Sequence, residues 1–70
     1  MLKRSVTIAG HRTSISLEEP FWEALRELAL RRKMTLAQLI GEIDKTRKQA
    51  NLSSAIRVTI LELYRNGALK

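Results

Sequence analysis

The residues able to do chemistry are mostly cations. Thirteen Lys and Arg stand against seven Asp and Glu, a formal charge of +6 on 70 residues. Such an excess suits a polyanion: nucleic acid first, then an anionic membrane surface or an acidic protein. Catalytic groups are scarce. The chain has no cysteine and one histidine, His11, so neither a disulfide frame nor a Cys or His metal cluster can form. His11 beside a turn suits hydrogen bonding or contact with phosphate. No nucleophile and base stand together with a third orienting group, and there is no Gly-rich phosphate loop. The carboxylates fall at helix starts or on solvated faces, where structure explains them. The expectation is a chain with no enzymatic activity, no cofactor, no metal and no small-molecule substrate.

The elements that position these cations must fit in one domain, residues 1–70. A chain this short buries little more than half of its unfolded surface and is marginal alone. Without a disulfide or metal, pooling a core with a second copy is the remaining remedy. Hydrophobic residues make up 44% of the chain, too many for a disordered tail. No apolar run approaches the roughly 20 residues that cross a bilayer. Met1-Leu2-Lys3-Arg4 lacks the apolar stretch of a signal peptide. A cytoplasmic location, with no membrane partner, is expected.

Four segments follow from periodicity. Residues 1–17 alternate polar and apolar, the period of a strand. Val6 and Ile8 share one parity and Ile15 and Leu17 the other, so the phase switches near Gly10-His11. A bulge or turn there explains the switch. The spacing predicts a strand over 12–17, and leaves 1–10 as an arm whose Lys3 and Arg4 either touch the backbone of a nucleic-acid partner or belong to a disordered tail.

A helix follows over 19–33. Pro20 suits its first position, Glu18, Glu19 and Glu23 its positive end, and Arg31, Arg32 and Lys33 its negative end. Phe21, Leu25 and Leu28 share one face, with Trp22 beside it. The next helix covers 36–47, with Thr35 and Gln38 spaced as a capping box and Leu36, Leu39, Ile40 and Ile43 as its stripe. The run Asp44 to Gln49 lacks an apolar face and reads as a loop. A last helix covers about 53–66, capped by Ser53 or Asn51, with Ile56, Ile60 and Leu63 on its stripe. Its β-branched residues leave a strand as the alternative. Arg57, among apolar residues, reads as a partner for Glu62 or Asp44. Asn66-Gly67 is a C-terminal stop.

The fold class is therefore mainly α with one short strand, in the order β-α-α plus a third helix. A lone strand exposes unpaired N–H and C=O groups on both edges. Pairing with its own copy in a two-stranded antiparallel ribbon satisfies one edge and enlarges the core. An intertwined, twofold homodimer follows from that argument. Its core would contain Ile15, Leu17, Phe21, Trp22, Leu25, Leu39, Ile40, Ile43, Ile56 and Ile60.

The strand ending in Leu17-Glu18-Glu19-Pro20, the helix after it, and the short turn with Thr35 at the next N-cap resemble the ribbon-helix-helix repressors of the Arc and MetJ type over residues 12–47. The wording Gly10-His11-Arg12-Thr13-Ser14-Ile15-Ser16-Leu17, with Phe21-Trp22 and Asn51-Leu52-Ser53-Ser54-Ala55-Ile56-Arg57, is similar to a bacterial subfamily with an added C-terminal helix. The resemblance implies a transcriptional regulator that lays its ribbon in the major groove of double-stranded DNA. It implies that Arg12, Ser14 and Ser16 face the bases while Thr13, Ile15 and Leu17 face the core. Arg bonds guanine bidentately and Ser serves several bases, so discrimination would lean on Arg12 and on DNA shape. It further implies a phosphate anchor at the start of the second helix: the N–H groups of Leu36 and Ala37, the Thr35 hydroxyl, and Arg32 and Lys33 from the turn. One departure is Lys33-Met34, where the family often has Gly. The competing reading is a protein-interaction module, antitoxin-like or binding another acidic partner through the segment Gln49–Lys70.

Overall fold

The computed structural model describes residues 1–48 and 50–67. Its elements run β1 (Leu2–Ile8), β2 (His11–Leu17), α1 (Glu19–Arg31), α2 (Leu36–Thr46) and α3 (Leu52–Arg65). The order is a two-stranded antiparallel sheet followed by three helices. The architecture is the expected strand-then-helices fold, with one addition: residues expected as an arm form a second strand. Leu2 pairs with Leu17 and Ile8 with His11.

The parity switch explains this hairpin. Each cross-strand pair joins an even-numbered residue to an odd-numbered one. Opposite residues share a face, so Val6 and Ile8 must lie with Thr13, Ile15 and Leu17. The two linking residues, Ala9 and Gly10, have φ of 52° and 81°. Two positive φ values in a two-residue link are the turn that matches the twist of paired strands.

The core lies beneath the hairpin. Nine of the ten residues expected in a shared core are buried within this single chain, Leu17, Trp22, Leu25, Ile40 and Ile56 among them; Phe21 is partly buried. Leu28, Ala24, Ala29 and Ala55 complete it. Trp22 has no exposed surface, and its Nε1 donates to the Leu2 carbonyl at 3.0 Å. This bond fastens the start of β1 to α1. Arg4 shares the packed face with Ile15 and lies 5.6 Å from the Trp22 ring centroid. Arg4 therefore covers the indole with its cation, and is turned away from the face expected to meet DNA.

Three details differ from the sequence reading. Helix α1 ends at Arg31 because Lys33 turns to φ 56°. The Met34 amide then donates to the Ala29 carbonyl and the Lys33 amide to the Leu30 carbonyl, the pattern that usually uses Gly. Helix α3 starts at Leu52, with Asn51 as the cap. Arg57 pairs with Glu18 at 2.9 Å, not with Glu62 or Asp44; Asp44 pairs with Arg47. Gln49 of the expected loop, and residues 68–70 of the segment Gln49–Lys70, lie outside the described residues.

Candidate nucleic-acid interface

One face of the hairpin is packed and the other is open. Along β2, Thr13 is half-buried and Ile15 and Leu17 are buried, while Arg12 and Ser14 are exposed and Ser16 is half-buried. The parity expected for Arg12, Ser14 and Ser16 is the parity observed. The register adds three residues to the same face. Arg12 stands opposite Thr7, Ser14 opposite Ser5, and Ser16 opposite Lys3. All three β1 residues are exposed. The open face therefore carries four hydroxyls with a cation at each end, Lys3 on β1 and Arg12 on β2.

The α1–α2 turn supplies the second feature. Thr35 caps α2: its hydroxyl accepts from the Gln38 amide at 3.1 Å, and the Gln38 side-chain oxygen accepts from the Thr35 amide at 2.8 Å. The capping box forms as the spacing required. It leaves the Leu36 and Ala37 amides without an acceptor among the described residues. These are donors at the positive end of the helix dipole. Arg32 and Lys33 are exposed next to them. Arg31 is bonded to Glu27 at 3.1 Å.

An open groove of about 660 Å³ joins the two features. Thr7 and Ala9 from the hairpin, Lys33 from the turn, and Ala37, Gln38 and Lys45 from α2 line it. Lys33 and Ala37 of the anchoring set meet the ribbon there through Thr7, the cross-strand partner of Arg12. Arg32 and Leu36 do not line it; the Leu36 side chain packs on the core. The hairpin approaches α2 at Gly41, where a Cβ would stand 3.5 Å from the Ile8 side chain, an ordinary contact. His11 is exposed on the opposite flank, beside a second groove with Arg47, Asn51 and Ser53.

Sequence reasoning missed Ser5 and Thr7, and put Lys3 on an arm instead of on this face. The signal that would have found them was the parity switch across a two-residue Ala9-Gly10 link. Glu18 was read only as a helix-start charge, and its pairing with Arg57 was missed. Its carboxyl is held below the ordinary carboxylate range by a hydrogen bond from its own backbone amide, then by the Arg57 guanidinium. That ion pair ties the start of α1 to α3 and sets Arg57 6.0 Å from the Phe21 ring.

No group of three or more metal-ligating side chains occurs among the described residues, and no helix among them is long and apolar enough to cross a membrane. The family model described as "Ribbon-helix-helix domain" matches residues 1–64. No curated protein matches the chain, and no solved structure does.

Proposed function

The chain belongs to the ribbon-helix-helix family, and from that premise we propose that it is a dimeric transcriptional regulator that inserts its antiparallel ribbon into the major groove of DNA. The family is a non-enzymatic, DNA-binding kind whose domains typically form dimers. The observation that carries the reading is the two-faced hairpin, apolar and packed beneath, hydroxyl-bearing and cationic above. A two-stranded ribbon is one of the shapes the major groove admits. Arg12, Ser14 and Ser16 meet base edges. Lys33, Arg32, Thr35 and the amides of Leu36 and Ala37 hold the flanking phosphates and fix register. A twofold dimer reads a palindromic site.

The experiment is a titration of random duplex DNA across salt concentrations, followed by recovery of bound genomic fragments. Retention at low salt that falls linearly with log salt, and an enriched palindrome, support the proposal. A chain that does not bind duplex DNA at low salt refutes it. That outcome favours the second reading, a protein-interaction module, for which the observation is apolar exposure on α3: Leu61 is 56% and Tyr64 44% exposed.

A further inference from the structure

We infer that β1 holds, in the lone chain, the place that the partner's β2 takes in the ribbon, so that the two strands compete for one edge of β2 and β1 must leave before DNA is read. The inference rests on the ribbon proposal above and adds a conformational control to it.

The first observation is the likeness of the two strands, each seven residues long. In chain order five of the seven positions carry the same chemistry. Lys3 and Arg12 are cations, Ser5 and Ser14 are identical, Thr7 and Ser16 bear hydroxyls, and Val6 and Ile8 match the apolar Ile15 and Leu17. The register turns this likeness into a substitution. In an antiparallel ribbon of two β2 strands centred on Ser14, Arg12 opposes the partner's Ser16, Ser14 the partner's Ser14, and Ser16 the partner's Arg12. In the hairpin the same three residues oppose Thr7, Ser5 and Lys3. Each β1 residue thus stands where its counterpart from a second copy would stand. Val6 and Ile8, packed against the core, likewise take the places of the partner's Ile15 and Leu17.

The second observation is width. Two strands about 4.8 Å apart fit a major groove about 12 Å wide. Two intact hairpins joined edge to edge would place their outer strands about 14 Å apart before side chains are added, too wide to enter. A ribbon with one β2 from each copy enters only when β1 is off.

The third observation is how β1 is held. It buries no side chain fully, whereas β2 buries Ile15 and Leu17. Its hinge is Ala9, a residue with a Cβ at φ 52°, and opening relieves that strain. The ladder, the Trp22 bond to the Leu2 carbonyl, and Arg4 over the indole retain it. Arg4 is one of the two positions where β1 departs from β2. Exchange of one strand for another of the same chemistry changes little in energy, so protein concentration and DNA decide which strand is seated.

The test locks the hairpin. The chain has no cysteine, and Ser5 and Ser14 are directly opposite. Opposite Cα atoms are about 4.5–5.5 Å apart, within the span of a disulfide. The double variant Ser5→Cys, Ser14→Cys is oxidised in dilute solution, its intrachain bond is confirmed by mass, and it is compared with its own reduced form by sedimentation and by binding to random duplex DNA. The oxidised form is expected to stay monomeric and to lose at least about tenfold in DNA affinity, restored by reductant. An oxidised form that dimerises and binds DNA as tightly as the reduced form overturns the inference and leaves the ribbon proposal standing. If neither form nor the parent binds duplex DNA, the ribbon proposal falls, and the difference in dimerisation between the two forms still decides whether the strands compete. A second variant works in the other direction. Val6→Pro removes a ladder amide from β1 alone and is expected to tighten dimerisation at least about fivefold. Dimerisation unchanged or weakened in that variant, with helix content intact by circular dichroism, overturns the inference.

Discussion

Under the proposed function, Lys33 occupies a position where stability and DNA binding pull in opposite directions, and Lys33→Gly separates them. Its φ of 56° lies in the left-handed region, which costs a residue with a Cβ about 1–2 kcal/mol. Glycine removes that cost but adds about 0.5–1 kcal/mol of unfolded-state freedom. The net is a stabilisation of about 0.5–1 kcal/mol. For a domain of this size that is roughly 2–8 °C in Tm. The hydrogen bonds that close α1 come from the Lys33 and Met34 amides, and glycine keeps both. The charge, however, is lost from the groove shared with Thr7 and Ala37. One phosphate contact contributes about 0.9 to the salt slope, which at 0.15 M salt is about fivefold in affinity for any sequence.

Two measurements decide the matter: thermal unfolding, and affinity for random duplex DNA at several salt concentrations. Lys33→Ala serves as the control, because it drops the charge and keeps the Cβ. Both variants should show the lower salt slope, and only the glycine variant the higher Tm. A glycine variant that melts lower than the parent refutes the argument from backbone strain. An unchanged salt slope in both variants refutes the phosphate contact.

Arg12→Ala should cost about 1–3 kcal/mol on the selected site and relax preference at one base position, with little change on random DNA, measured by competition binding. Gly41→Ala should stabilise the chain by about 0.5–1 kcal/mol in denaturant unfolding, since Gly is poor inside a helix and the added Cβ would meet Ile8 at an ordinary 3.5 Å; a loss of stability would mean the hairpin packs closer than this. Acid should act through Glu18. Its folded pKa is depressed, so its contribution is present above the ordinary carboxylate value and lost as pH falls through the lower folded value. Tm against pH should therefore fall less steeply in that window for Glu18→Gln than for the parent.

The helical half was legible because each helix carries its own local signals. Pro20, the Thr35–Gln38 box and the Asn66-Gly67 stop all act within a few residues, and periodicity found the core. The outward parity of β2 was legible for the same reason. What escaped were pairings at long range. Arg57 had several carboxylates to choose from, and only the packing of α3 against α1 selects Glu18. The hairpin escaped because Ala9 is an unusual residue at positive φ. A strong turn signal would have been Asn-Gly or Asp-Gly. Without it, the parity switch read as an interruption, though it is what a two-residue link requires.

The hairpin also changes the argument for dimerisation. From sequence, a lone strand and a small core required a second copy. In the structure β1 covers one edge of β2, and all but Phe21 of the residues expected to be shared are buried in one chain. Under the proposed function, pairing is then needed for the palindrome more than for the fold. A dimer would have to cover only the outer strand edges and exposed side chains such as Leu30, Leu61 and Tyr64. Dilution should therefore separate two events that coincide in a dimer with a shared core. DNA affinity should fall as copies dissociate, which sedimentation would follow. Trp22, fully buried within its own chain, should keep the emission of a buried indole through that range. If its emission shifts to that of a solvated indole in step with dissociation, the core is shared between copies and the self-contained hairpin is wrong.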